Sequence, residues 1–327
     1  MRKINLIIVF VAACYCNVNA QQFYADPFAH TFSIVARDSV TGEMGVAVQS
    51  HWFNVSIVGW GEAGVGVVAT QSMVNPAYGP DGLKMLKEGK SPQEVIDALT
   101  AADTGKDLRQ VAVLDAKGNS ASFTGSRCIQ PAGNISGSNY SVQANLMVND
   151  KVWPAMEKAF RTTKGQLAER MVAALEAGQQ AGGDIRGKQS AYLLIVKPTA
   201  TGKLWDDRFD LRVDDNAEPI KELKRLLKIH RAYEHMNAGD VATEKGDMVL
   251  AEKEYGLGES LMPDNMEMKF WHAVTLTNNN NLKKALPLFK KVFAAEKNYT
   301  KLIPRLRKSE LLKCDDATEK KILDAAK

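Results

Sequence analysis

The stretch Thr31-Phe-Ser-Ile-Val-Ala-Arg-Asp-Ser-Val-Thr-Gly-Glu-Met-Gly-Val-Ala-Val-Gln-Ser50 constrains this chain more than any other. Ile34-Val35-Ala36 and Val46-Ala47-Val48 are apolar runs of strand length, and Thr41-Gly42 marks a reversal between them. The pattern predicts a β-hairpin that opens a buried sheet. A Thr at the very start of such a strand puts a hydroxyl at a sheet end. There it serves as a nucleophile if its own α-amine is free to act as base. Thirty residues precede Thr31, so that chemistry depends on breaking the His30–Thr31 bond.

The rest of the first two thirds continues in kind. Val55–Trp60 and Gly64-Val-Gly-Val-Val-Ala-Thr70 have strand length, and their glycines imply close backbone approach. Gln71–Pro80 reads as a polar loop. Helices follow over Asp81–Glu88 and after Ser91-Pro-Gln-Glu94, a capping box with Pro at the first helical position. A second hairpin spans Leu108–Asp115 and Ser120–Thr124, turning at Lys117-Gly118-Asn119, and Tyr140–Val148 is a further strand. Helices over Lys151–Arg161 and Gln166–Gln180 precede strands at Ser190–Val196 and Leu204–Val213. Strands joined by short turns, with helices arriving in pairs, predict stacked sheets covered by helices rather than a doubly wound parallel sheet.

Composition shifts near Asp214–Pro219. From Ala217 to the end, 21 Lys and Arg face 17 Asp and Glu, so this segment carries the whole +4 of the chain. Lys283–Lys308 holds nine basic residues against Glu296 alone, either a solvated helical face or a contact surface for an acidic partner, polymer or membrane surface. Ala251, Tyr255 and Pro263 match the Ala-x3-aromatic…Pro pattern of a tetratricopeptide repeat, and Ala285 and Phe289 recur 34 residues later. Gly239 and Ala273 share that offset, while Lys297 stands where the closing Pro would be. The expectation is a helical repeat that binds a protein partner and supplies no chemistry.

At the other end, Arg2 and Lys3 followed by Leu6–Ala13 form a secretory signal over residues 1–20, with Val18-Asn-Ala20 at the cleavage position. Val11-Ala-Ala-Cys14 also resembles a lipoprotein box, which would anchor an otherwise exported chain at Cys14. Residues 21–30 read as an unstructured leader. No other segment is long and apolar enough to span a membrane. The expected units are thus a signal at 1–20, a leader at 21–30, a layered domain at 31–213 and a helical domain at 214–327.

Residues 31–213 carry no Ser-His-Asp set, no phosphate loop and no metal-ligand spacing among His30, His51, Cys128 and the rest, so no metal, cofactor or nucleic-acid partner is expected. What recurs is polar residues at strand ends beside glycine: Ser50, Gln71 with Asn75, Gln143 with Asn145, and Asp184 with Arg186 and Gln189. Each alone reads as a turn former or a solvated end. Together they supply the donors that an amide-cleaving site needs to hold an oxyanion.

Thr31–Asp38, Gly45–Ser50, Gly64–Gln71, Asn75-Pro-Ala-Tyr-Gly79, Thr124–Cys128 and Gly182-Gly-Asp-Ile-Arg-Gly-Lys-Gln-Ser-Ala191 together resemble the domain of unknown function 1028 family over about residues 29–200. That family is similar in fold to the N-terminal-nucleophile hydrolases. The resemblance implies an α+β, four-layer αββα sandwich followed by the all-α tetratricopeptide-like tail. It implies Thr31 as nucleophile, with Asn145 and backbone N–H groups on the oxyanion. Ser50, Gln71, Asn75, Gln143, Asp184 and Arg186 then position a small-molecule or peptide substrate. Many relatives begin Met-Thr-Phe-Ser, whereas here Thr31 follows His30, and the second strand carries Gln49 and Ser50 where an acid or Lys would support the nucleophile. The alternative is a non-catalytic binding module whose tail recruits a protein. A third option puts hydrolysis on Ser33 or Cys128, and a homo-oligomer is left open.

Overall fold

The computed structural model describes residues 28–202 and 208–327. The expected signal at 1–20, the Cys14 box, residues 21–27 of the leader and the first four residues of the strand expected over 204–213 lie outside the described residues.

The leader does not stay unstructured to its end: Phe28–Ala29 form a short strand, β1, and His30 is buried. The expected hairpin follows as β2 (Thr31–Arg37) and β3 (Met44–Ser50), turning at Gly42, whose φ of +76° suits a residue without Cβ. Val55–Trp60 is not the expected strand. Asn54 caps a 3-10 turn at Val55–Val58 by accepting from the Ser56 amide, and β4 (Gly59–Glu62) starts only afterwards. β5 (Gly66–Met73) leads to α1 (Tyr78–Lys87) and α2 (Pro92–Ala101), the latter opened by the predicted Ser91–Glu94 capping box. β6 (Arg109–Asp115) and β7 (Ser120–Thr124) make the second hairpin. The polar stretch after it yields an unexpected strand, β8 (Gly133–Gly137), beside β9 (Tyr140–Ala144). β9 stops short of Val148 because Leu146 takes a φ of +58°. α3 (Val152–Thr162), α4 (Leu167–Gln180), β10 (Ser190–Val196) and β11 (Arg208–Val213) complete the layered part.

Two antiparallel sheets result. One runs β1–β5–β6–β7, with β4 also on β5; the other runs β11–β10–β3–β2–β9–β8. Strand alternation gives each sheet two faces. Val68, Val111 and Val113 of the first sheet pack under α1 and α2 with Leu83, Val95 and Leu99. On the second sheet, Phe32, Ile34, Ala47 and Leu193 pack under α3 and α4 with Met156, Phe160, Met171 and Leu175. Between the sheets lie Val35, Val46, Val48, Val67, Ala69, Ala112, Leu114 and Leu194. Full burial of a Val or Leu in such a layer is worth ~1.5–3 kcal/mol. The layers therefore run helices, sheet, sheet, helices.

α5 (Pro219–Glu244) is shared between two cores. Ile220, Leu223 and Leu227 join the α3–α4 core, while Ala232, Met236 and Ala242 pack with Ala251 and Tyr255 of α6 (Met248–Leu261). The layered core thus continues past residue 213. α7 (Met266–Asn278), α8 (Leu282–Ala295), α9 (Leu302–Lys308) and α10 (Asp316–Asp324) follow, packed through Phe270, Phe289, Phe293 and Ile303. At the α5–α6 crossing a Cβ on Gly239 would come within 2.8 Å of the Tyr255 ring, which is why a small residue stands there.

Candidate functional site

At one end of the inter-sheet layer the apolar pattern stops. β2 brings in Thr31 and Ser33, β3 Ser50, β5 Gln71, β6 Gln110, and β9 Gln143 followed by Asn145; all seven are fully buried. The register dictates the meeting. Thr31 stands opposite Ser50, Ser33 opposite Gln143, and Gln71 opposite Gln110. Polar side chains placed there must satisfy one another, since an unpaired buried amide costs about 1–3 kcal/mol.

They do so in a connected network. The Ser33 hydroxyl donates to Gln71 Oε1 at 2.6 Å and accepts from Gln143 Nε2 at 2.5 Å. Gln71 Nε2 donates to Gln110 Oε1 at 2.6 Å and to the Thr31 carbonyl at 3.0 Å. Gln110 Nε2 donates to Thr124 Oγ1 at 2.8 Å and to the Ala144 carbonyl at 3.0 Å. Asn145 Nδ2 donates to Gln110 Oε1 at 3.0 Å, which turns Asn145 Oδ1 toward His30 Nδ1 at 2.8 Å. Burial pushes the His30 imidazole below its ordinary range, with Arg186 adding to the effect and the Asn145 hydrogen bond and Asp184 opposing it. His30 is therefore neutral at pH 7, with its proton on Nδ1 facing Asn145 Oδ1.

The bond between His30 and Thr31 is held by side chains from two directions. The His30 carbonyl accepts from Ser50 Oγ at 2.7 Å and from Arg186 Nη2 at 2.6 Å. Thr31 Oγ1 donates to Ser50 Oγ at 3.2 Å. Arg186 is fixed in turn by Asp184, whose side chain is fully buried and takes both Nε and Nη2. A guanidinium held by two bonds to a carboxylate is pre-aimed. Here its remaining reach ends on a carbonyl oxygen. Two backbone outliers flank the network: Ser72, φ +72°, follows Gln71, and Leu146, φ +58°, follows Asn145. Strain of this kind costs about 1–3 kcal/mol and gathers at functional sites.

The structure thus brings together Thr31, Ser50, Gln71, Gln143, Asn145, Asp184 and Arg186. Asn75 stays apart: its Nδ2 reaches Asp103 at 3.3 Å, in a cluster with Tyr78 and Arg109. Burial pushes the Asp103 carboxyl up, but Arg109, the Gly105 amide, Tyr78 and Asn75 outweigh it and bring it down to about 2. Asn75 is a loop brace there. Asn145 differs from its expected use, because its donors go to Gln110 and the Thr31 carbonyl, while Ser50 and Arg186 hold the carbonyl before Thr31. Burial pushes the Cys128 thiol up and Sγ donates to the Arg109 carbonyl, an environment that does not activate a thiolate.

Sequence reasoning missed His30, taken as leader, and Gln110. Gln110 carried no local signal, since Val111–Leu114 is apolar on both faces and only the strand pairing shows which face is inward. Among the described residues no three His, Cys, Asp or Glu side chains are grouped to hold a metal ion. No helix of the described residues is long and apolar enough to cross a membrane. A groove of about 620 Å³ lies elsewhere, lined by Glu169, Lys221, Arg225, Leu227 and Leu261 at the junction of α4, α5 and α6.

No curated protein matches the chain. Among solved structures it is similar to protein SPO2555 from Silicibacter pomeroyi, a member of the same family as the chain's own model match. The two are 30% identical with a TM-score of 0.56, over 61% of this chain and 84% of that one. Residues 31–223 match the model of the family of unknown function DUF1028, which covers more than half the chain and takes in the polar network, the layers and the first turns of α5. The chain belongs to the DUF1028 family.

Proposed function

We propose that this protein is an exported hydrolase of the N-terminal-nucleophile type, and that the first amide it cleaves is its own His30–Thr31 bond. The observation that carries the reading is the pair of donors, Ser50 Oγ and Arg186 Nη2, on the carbonyl oxygen immediately before the Thr31 hydroxyl. Donors aimed at an oxygen that becomes negative in the transition state are the largest single contribution to many acyl transfers. Thr31 Oγ1 attacks the His30 carbonyl carbon, and the oxygen's new charge falls to Ser50 and Arg186. The C–N bond breaks, and the hydroxyl proton ends on the Thr31 nitrogen. Water then hydrolyses the His30–Thr31 ester, leaving a His30 carboxylate and a Thr31 with a free amine. That amine serves as base for later amide substrates.

The layered order and the position of Thr31 at the start of an inner strand support the fold-level part of this reading. Gln71, Gln110, Gln143 and Asn145 act as positioning residues that hold Thr31 and His30 in place. The test is the intact mass of purified protein. Wild type converts to a species beginning at Thr31, Thr31→Ser converts too, and Thr31→Ala stays whole. A wild-type chain that still carries His30 and the residues before it after prolonged incubation contradicts the proposal.

A second reading draws on the tail. Lys283, Lys290 and Lys291 lie exposed along α8, a stripe without an ion pair among the described residues. A tetratricopeptide-like tail with such a stripe fits an acidic protein partner, with the sandwich as a non-catalytic binding module. Loss of function on reversing Lys290 and Lys291, with Thr31→Ala silent, favours that reading over hydrolysis.

A further inference from the structure

We infer that the substrate is an extended peptide, laid antiparallel along β5 where β1 lies and cut after the residue that takes the place of His30. The inference rests on the hydrolase reading above and specifies its substrate. The chain's own upstream segment shows the pose. Phe28 pairs with Met73 and Ala29 with Ser72, so the residues before the bond form a strand on the edge of β5. β4 occupies the other end of that edge, from Gly59 opposite Ala69 to Glu62 opposite Gly66. The stretch near Ser72 and Met73 is the part that β1 covers. Departure of residues up to His30 after cleavage uncovers backbone donors and acceptors there. An uncovered edge beside a cleavage site takes an extended peptide by strand addition, with main-chain bonds giving affinity and side-chain sites giving selectivity.

The side-chain site is equally specific. Asn145 Nδ2 is committed to Gln110 Oε1, so Asn145 presents its oxygen, and His30 meets that oxygen through Nδ1. Asp184 lies buried near this position and lines up Arg186. The position before the cut therefore favours a side chain with an N–H donor and disfavours a carboxylate, which would face the Asn145 oxygen.

The experiment uses the self-cleaved full-length product and acetyl-Pro-Phe-Ala-His aminocoumarin amide as probe. Three comparison probes are acetyl-His aminocoumarin amide, the same tetrapeptide methylated on the Phe and Ala backbone nitrogens, and the tetrapeptide with Glu in place of His. The tetrapeptide is hydrolysed, and each comparison probe loses about tenfold or more in kcat/KM, the scale of one or two lost hydrogen bonds. Equal turnover of acetyl-His amide and tetrapeptide overturns the inference while leaving the hydrolase reading intact, because it describes a small-molecule amidase. Self-cleaved protein that ignores the tetrapeptide also overturns it. A chain that never cuts before Thr31 and hydrolyses no probe removes the hydrolase reading and the inference together.

Discussion

The two halves of the inter-sheet layer are built on the same strands and the same faces, yet they differ in kind. Along β3, Ser50 gives way to Val48 and Val46; along β5, Gln71 gives way to Ala69 and Val67. Along β6, Gln110 gives way to Ala112 and Leu114, and along β2, Ser33 gives way to Val35. In the first sheet the switch falls at one level, with Gln71 opposite Gln110 and Ala69 opposite Ala112; in the second it is stepped, with Ser33 opposite Val48 and Val35 opposite the buried Ser141. The apolar half needs only volume and shape, and its residues stabilise by leaving water. The polar half must match every donor to an acceptor merely to break even. A chain that could have continued Val and Leu to the end of each strand carries seven buried amides and hydroxyls instead. What they surround is the His30–Thr31 peptide.

Breaking the apolar half carries the largest stability effect. Leu114→Ala, fully buried between the sheets, is expected to cost about 2–5 kcal/mol in denaturant unfolding, from lost transfer energy and the cavity left behind. In the polar half, Gln110→Leu is expected to cost about 2 kcal/mol, because it strips partners from Gln71 Nε2 and Asn145 Nδ2. Adding Gln71→Leu and Asn145→Leu to it recovers part of that loss while ending cleavage. The same triple change in a purely structural network would recover stability with no chemical consequence.

Acidification separates the halves again. His30 titrates below its unfolded value of 6.5 because of burial, so the unfolded chain binds its proton first. Stability from this group is present above about pH 6.5 and is lost as pH falls below that value toward the lowered native one. Unfolding of the uncleaved Thr31→Ala chain followed between pH 8 and pH 5 is expected to show this decline, and adding His30→Gln to flatten it, whereas adding Leu114→Ala shifts the curve without changing its slope. The smallest effect belongs to the tail. Lys290→Glu with Lys291→Glu alters exposed positions on α8 and is expected to move stability by no more than about 0.5 kcal/mol and to leave cleavage unchanged.

Much of this contrast was legible in the sequence. Period-two runs bounded by Thr41-Gly42 and Lys117-Gly118-Asn119 predict both hairpins, and the Ser91–Glu94 box fixes the start of α2. Ser50, Gln71, Gln143 and Asn145 stood out as polar strand ends. The pairing that gathers them was not legible, because register joins residues far apart in the chain, such as Ser33 and Gln143. Gln110 hid in a Val-rich strand whose inward phase only pairing reveals. β1 has two residues and no period, so nothing local marks it as sheet. β8, Gly133–Gly137, is rich in turn formers and is a strand only because β9 lies beside it. Asn75 looked equivalent to Asn145 in composition, and Asp103, 28 residues away, decides otherwise.

The most direct measurement of the central claim traps the ester. Wild type purified in denaturant as the uncut chain is refolded into hydroxylamine at neutral pH, so that the ester forms in its presence, and both fragments are weighed. Hydroxylamine attacks an ester on Thr31 far faster than an amide, and the sequence holds no Asn-Gly pair to give a competing cut. The account predicts an upstream fragment ending in a His30 hydroxamate and a body beginning at Thr31, neither formed by Thr31→Ala. A chain that emerges whole, or is cut at any other bond, contradicts it.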